Sequence, residues 1–354
     1  MTDRRRRLLL AGLACLPAVT LWGCGRGPEL REAGFSVFGQ IWTLTFFDTP
    51  PARINNAIDA AEAIVEPLYR RLHPWKDSEL TRLNQRLATH GEAKVSEDLQ
   101  ALIQSSRPLF EASGGLFDPT IGSLTSLWGF HADGGRHHRT EPPPEATLDA
   151  WLDDAPSLDD VHVVGDRLEV SNRRVQFDFN ALAEGFAARR VLTAIESLGV
   201  RDCLLDTGGD LFTLGRPGNR SWQLGINDPL SNTPLGGVEL SGKHALCSSG
   251  NYERRVHYRG HSYGHILDPS TARPAQSNAG TTVLHRDPLI ADGAATALML
   301  LAPQHAKAFA NQVGLDGTLL VTENGDSWRD EDMRQAMHQG RPASSGRTID
   351  WQSL

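Results

Sequence analysis

Beyond four N-terminal arginines, this 354-residue chain has no basic stripe and no interleaving of basic with aromatic residues, and its formal charge at pH 7 is −8. That argues against a nucleic acid partner, whose affinity rests on neutralising phosphates. Cysteine is scarce: Cys15, Cys24, Cys203 and Cys247 are too few for a disulfide framework and show no zinc-ligand spacing. No G-x-G-x-x-G follows a strand and there is no Walker loop. No G-x-S-x-G elbow occurs either, because "CSSGNYERR" lacks the first glycine. The usual dinucleotide and serine-hydrolase readings therefore lose their main support. No internal repeat is visible, and the longest apolar run, Leu8 to Leu21, is short and interrupted by proline, which suits a membrane span poorly.

What is present suits a globular protein with a sizeable core: 40% hydrophobic and 22% charged residues. The start, "MTDRRRRLLLAGLACLPAVTLWGCG", runs from a basic segment through an apolar one to "LWGC", the order of a secretory signal. Its end resembles a bacterial lipobox, which would make Cys24 the lipidated first residue; ordinary cleavage with Cys24 unmodified is the alternative. The export route, Sec or twin-arginine, stays open. Residues 1–23 carry four Arg and one Asp, so the remainder is three units more negative than the whole. Such a body would be held at a membrane by its lipid, not by basic attraction. The expected organisation is signal 1–23, linker 24–34, one domain 35–325 and a polar, loosely held tail 326–354. Once Cys15 has left and Cys24 is lipidated, Cys203 and Cys247 remain, and whether they pair is open.

Period and punctuation predict the elements. "FSVFGQIWTLTFF" (35–47) reads as a strand with a glycine kink, 52–72 as a helix, and "HPWKDSELTRLNQ" as a polar loop. Ser96 caps a helix ending at "SGG", and 131–147 is a surface insertion. A hairpin, "VHVVGDRLEVSNRRVQFDF", precedes a helix closed by Gly199. "CLLDTGGDLFTLG" is strand–turn–strand, further short strands follow, and two helices precede a last strand, "GTLLVTENG". The fold class is α+β, with a largely antiparallel sheet and flanking helices.

Four stretches set carboxylates beside glycines or small residues at element boundaries: Asp118 in "GGLFDPTIG", Asp178 and Glu184 in "FDFNALAEGF", Asp206 and Asp210 in "LLDTGGDLF", and Asp292 in "LIADGAATAL". Glycine corners and helix N-termini admit an anion. A carboxylate next to one makes sense if a hard divalent cation sits between them, since Mg²⁺ shares oxygens among carboxylate, hydroxyl, carbonyl and phosphate. Taken singly, each stretch also fits a turn or cap: Asp292 could cap its helix, or point with Thr296, four residues on, at one ligand. His265, in "YGHILDPSTARP", fits either a packed strand histidine or a base taking a proton from a hydroxyl. A transition-metal reading of His257, His261 and His265 lacks a Cys or carboxylate partner.

In this order, "FDPTIGSLTSLWGF", "FDFNALAEGFAARRV", "LLDTGGDLFTLG", "WQLGINDP", "CSSGNYER", "GHILDPSTARP" and "ADGAATAL" resemble the successive signature blocks of the ApbE family of FAD:protein FMN transferases, from about Phe35 to Leu320. The resemblance implies a T-fold-like core, FAD as substrate and Mg²⁺ held by the Ala181 carbonyl with Asp292 and Thr296. It implies flavin or adenine contacts at Phe38, Trp75, Leu116, Phe117, Asp118, Asp178, Glu184 and Ile266. It further implies transfer of FMN to a Thr or Ser hydroxyl of exported flavoprotein subunits, such as those of quinone reductase or Rnf-type complexes. The expected setting is the bacterial envelope, on the periplasmic side, lipid-anchored. His265 is the candidate general base, with Asp178 positioning the flavin or aiding proton removal. Departures from the family pattern are "FGQ" for an early "MGT", Glu184 where lysine is common, Gly264 for serine, Ala272 where glycine usually closes the turn, and Ala295 in place of an additional carboxylate. An FAD pyrophosphatase, and a non-catalytic FAD-binding lipoprotein, are the competing expectations.

Overall fold

The computed structural model describes residues 29–131, 141–231, 233–251, 255–338 and 348–351. The signal-like segment, Cys24 and most of the 131–147 insertion lie outside them. Strands β1 (Leu30–Val37) and β2 (Gln40–Phe47) lead into helices α1 (Pro51–Leu72) and α2 (Glu79–His90), strand β3 (Glu92–Lys94), and helices α3 (Glu97–Ala112), α4 (Gly122–Trp128) and α5 (Glu145–Leu152). The hairpin β4 (Val161–Val164) and β5 (Arg167–Val170) precedes α6 (Asn180–Ser197). There follow β6 (Cys203–Asp206), β7 (Leu211–Leu214), β8 (Trp222–Asn227), β9 (Pro234–Leu240), β10 (His244–Gly250), β11 (Arg255–Tyr258), β12 (His261–Gly264), β13 (Leu267–Asp268), β14 (Arg273–Pro274) and β15 (Asn278–His285). Helices α7 (Pro288–Leu300) and α8 (Pro303–Val313), strands β16 (Gly317–Thr322) and β17 (Ser327–Arg329), helix α9 (Glu331–Ala336), and strands β18 (Met337–His338) and β19 (Thr348–Asp350) complete the described chain.

A nine-stranded sheet, ordered β1-β2-β6-β7-β10-β15-β16-β17-β19, organises the molecule. Its pairs are antiparallel except β17 with β19, so the α+β expectation holds. Smaller sheets β8-β9-β18 and β3-β5-β4 stand apart, and β11-β12 and β13-β14 are two-stranded. The main core lies between the large sheet and α1, α3, α6 and α7, and includes Trp42, Phe46, Phe177, Phe179 and Phe186. Burying such side chains stabilises by about 1.5–3 kcal/mol each.

Several expectations are corrected. Residues 35–47 are not one strand: Phe38 and Gly39 take φ of +53° and +77°, and this left-handed pair turns the chain back, so that β1 pairs with β2. The supposed polar loop becomes helix α2 from Glu79, because Ser78 and Thr81 form a reciprocal capping box. The domain also exceeds its expected bounds of 35–325. β1 begins at Leu30 inside the expected linker, while β17 and β19 extend the sheet into the supposed tail. That tail is anchored by Trp351, only 2% exposed. Cys203 and Cys247 are both free and buried. Among the described residues no helix is long and apolar enough to cross a membrane.

Helix α7 explains why "PLIADGAATALML" is so rich in alanine and glycine. It lies on β10 and β15 with α6 and α3 over it, and nearly every side chain is buried. A Cβ on Gly293 would come within 2.5 Å of Leu109 and 2.6 Å of Leu182. On the facing helix, a Cβ on Gly185 would stand 2.5 Å from the Pro288 carbonyl oxygen and 2.7 Å from the Asp292 Cβ. At Gly185 the Pro288 oxygen and the Leu289 Cα, 2.9 Å away, are backbone atoms that cannot yield cheaply. Gly185→Ala is therefore expected to lower stability by about 2 kcal/mol or more and to displace Asp292, which denaturant unfolding together with a crystal structure of the variant would detect.

Candidate active site

A cavity of about 720 Å³ opens where the N-terminus of α6, the Asp206–Asp210 turn, β10 and helix α7 converge. This volume lies within the usual range for small-molecule sites. Its wall holds Leu116, Phe117, Asp118, Asp178, Ala181, Glu184, His265, Ile266, Asp292 and Thr296. Ten of the residues picked from the sequence thus meet in one place.

Asp292 settles the first ambiguity. The cap of α7 is Asp287, whose side chain accepts from the Leu289 N–H, so Asp292 sits a full turn inside. It is 8% exposed, and its Oδ2 accepts from the Gly185 N–H of α6 at 2.8 Å. In a regular α-helix that N–H would serve the carbonyl four residues back, which is that of Ala181. Asp292 thus competes for the ordinary helix partner of the Ala181 carbonyl, and both residues line one cavity. One turn on, Thr296 Oγ lies 3.1 Å from Ser249 Oγ of β10.

The donors gathered here are a carboxylate, a hydroxyl and a main-chain carbonyl, all oxygen, the set a hard cation takes. Among the described residues no three His, Cys, Asp or Glu side chains group as a metal cage, so a softer transition-metal centre has no support. Cys247 lies close by, but burial, followed by the charges of Asp210, Asp292 and Glu184, pushes its thiol up and keeps it protonated. The residues present fit a Mg²⁺-type ion.

The opposite wall is built by local turns. Phe177 is clamped in extended form by Asn84, which accepts from its N–H at 2.8 Å and donates to its carbonyl at 2.9 Å. The Asp178 N–H donates to the Pro119 carbonyl at 2.8 Å, tying this segment to the Asp118 loop. Asp178 Oδ1 in turn accepts from the Asn180 N–H at the start of α6. Asp206 Oδ1 accepts from Gly208 and Gly209, whose φ values of +98° and +141° need glycine. Ala272 takes φ +54° where the family pattern has glycine; its carbonyl accepts from the Trp128 indole at 2.9 Å, which helps hold the strained turn after His265.

Asp118 serves the wall more than the void. Its carboxylate accepts from the Thr120 N–H and hydroxyl and from the Leu158 N–H. Burial nevertheless pushes its carboxyl up to about 6. With a folded value above the unfolded 3.8, its contribution to stability is full below about pH 4 and lost as pH rises through about 6. Relative to Asp118→Asn, which does not titrate, the parent should lose on the order of 3 kcal/mol over that window, as urea unfolding of both proteins at pH 4 and pH 7 would show.

Two expected contacts do not reach the cavity. Phe38 stacks on Trp42 at 5.8 Å and meets Tyr69 edge-on at 5.0 Å, because its turn folds it onto the core. Trp75 borders a small adjoining hollow that shares only Thr125 and Asp178 with the main cavity. Sequence reasoning missed Gln40, which donates from Nε2 to Glu184 Oε1 at 3.0 Å, and Ser248 and Ser249 on the wall. Their strand, β10, is central in the sheet, and its small residues carry too little pattern to be seen beforehand.

The fold is α+β, and its one cavity of small-molecule size among the described residues is lined by the carboxylate residues Asp118, Asp178, Glu184, Asp210 and Asp292 together with Thr296 and His265. The ApbE family model matches residues 38–319. The FAD:protein FMN transferase of Rhodobacter capsulatus is 33% identical over 96% of this chain, which spans 66% of that relative's length. Two crystal structures share the fold. That of the flavinyl transferase ApbE of Pseudomonas stutzeri in its apo form has a TM-score of 0.76 and 27% identity, over 89% of this chain and 98% of that one. That of the ApbE protein of Thermotoga maritima has a TM-score of 0.78 and 24% identity, over 88% and 100%. The chain belongs to the ApbE family.

Proposed function

We propose that this protein transfers the FMN part of FAD to a threonine or serine hydroxyl of another protein and releases AMP. The observation that supports the reading is that Ala181, Asp292 and Thr296 line the same cavity as Asp178, Glu184 and His265. Ala181, Asp292 and Thr296 would hold Mg²⁺, which when bound withdraws charge from a diphosphate. Asp178, Glu184, Ile266 and the Leu116–Asp118 segment bind and orient the dinucleotide.

His265 accepts the proton of the attacking hydroxyl as its oxygen forms a bond to the FMN-side phosphorus. The bond from that phosphorus to the bridging oxygen breaks, and the leaving group is AMP.

The acceptors fitting this reading are exported flavoprotein subunits of quinone reductase or Rnf-type complexes. A lipid on Cys24, which lies outside the described residues, would hold the enzyme on the periplasmic face of the membrane beside them. The test is incubation with FAD, Mg²⁺ and a flavin-free quinone reductase subunit. Flavin fluorescence on the acceptor that survives denaturation is the expected result. AMP release with no adduct would turn the reading toward a pyrophosphatase, and neither product would oppose it.

A further inference from the structure

The segment Arg255–Gly264 is a two-stranded ribbon, β11 with β12, outside the large sheet. Its turn, Arg259–Gly260, has φ of +47° and +81°, the left-handed pair that makes a tight hairpin. His257, Arg259, His261 and Ser262 are exposed. The arm is rooted by Tyr263 against Trp128, ring centres 5.4 Å apart, and by the Arg255 guanidinium donating to the Asn251 carbonyl. Its second strand runs straight into His265 on the cavity wall.

The charge of this arm opposes that of the molecule. Residues 255–264 contain two arginines, two histidines and no acid, within a chain of net charge −8. Neither strand has a further neighbour among the described residues. A lone two-stranded ribbon is marginal by itself and offers backbone donors and acceptors along its edges.

We propose that this hairpin is the docking arm for the acceptor protein, and that it takes an extended acidic segment lying next to the attacked hydroxyl. The inference rests on the transfer reading above, because only a protein substrate needs such a surface beside the base. A segment added along β12 would follow that strand toward His265, its carboxylates facing Arg259 and the histidines. Exposed charges of this kind act on encounter and register more than on chemistry.

The test compares the parent with Arg259→Asp/His257→Asp, and with Arg259→Lys as the conservative control. Asp is tolerated at a left-handed turn position, so the hairpin should persist. For a flavin-free quinone reductase subunit, the double variant should raise KM by about fivefold or more and lose the parent's rise of KM with salt. Its kcat at saturating acceptor, and its FAD binding followed by flavin fluorescence, should stay unchanged, and Arg259→Lys should behave as the parent. An unchanged KM and salt slope would overturn the proposal. So would loss of co-sedimentation with phosphatidylglycerol vesicles at unchanged KM, which would make the arm a lipid contact. Weakened FAD binding would make the arm part of the cavity instead and also overturn it. Failure of the parent to label the subunit while still binding FAD would instead remove the transfer reading, and the arm's role with it.

Discussion

Asp292→Asn folds as the parent does and transfers FMN about 10³-fold more slowly or not at all. The amide oxygen can still accept from Gly185, so the bond between α6 and α7 survives the substitution. Only the negative charge goes, and that charge is the sole carboxylate among the three oxygens assigned to the metal. Asp292→Ala also abolishes transfer but removes the helix–helix bond as well, costing about 1 kcal/mol or more in stability. Comparing the two variants by thermal unfolding and by in-gel flavin fluorescence separates the structural role of Asp292 from its chemical one. A non-catalytic flavin carrier predicts instead that Asp292→Asn binds FAD like the parent whether or not Mg²⁺ is present.

His265→Ala is the second large effect. Removing a positioned base lowers kcat by about 10²–10⁴-fold, while FAD affinity and its Mg²⁺ dependence stay near those of the parent. Single-turnover labelling at saturating FAD and acceptor reads this directly. A loss confined to KM for FAD would show that His265 binds the nucleotide and that the proton goes elsewhere.

How far the sequence foretold this site depends on the kind of signal each residue gives. Asp292 and Thr296 were legible because a carboxylate and a hydroxyl four apart break a run of alanine and glycine that otherwise has one use, close helix packing. The competing cap reading fell once Asp287, five residues earlier, proved to hold that role. Ala181 has no side-chain signal of its own: the resemblance alone names it, through its carbonyl, and only the fold shows that the Gly185 N–H is taken by Asp292 from another helix. Gln40 was invisible for a related reason: a polar residue after a turn is ordinary until the fold sets Glu184 opposite it.

The resemblance alone puts Phe38 at the flavin, whereas the turn at Phe38–Gly39 folds its ring onto Trp42 and Tyr69. Trp351 shows the limit at the other end. A tryptophan fourth from the end of a polar tail has no period to betray it, yet it is buried next to β19 at the edge of the large sheet. Local chemistry thus singles out the carboxylates, Thr296 and His265, the resemblance adds Leu116, Phe117, Ala181 and Ile266, and the contacts that close the cavity come from pairings across a hundred residues or more.

The most direct test is a crystal of the protein grown with FAD and Mn²⁺ in place of Mg²⁺, examined by anomalous scattering. A single peak bonded to the Asp292 carboxylate, the Thr296 hydroxyl and the Ala181 carbonyl, with the diphosphate completing its shell, is the predicted result. FAD bound in the cavity with the metal elsewhere, and Asp292 holding only Gly185, would contradict it.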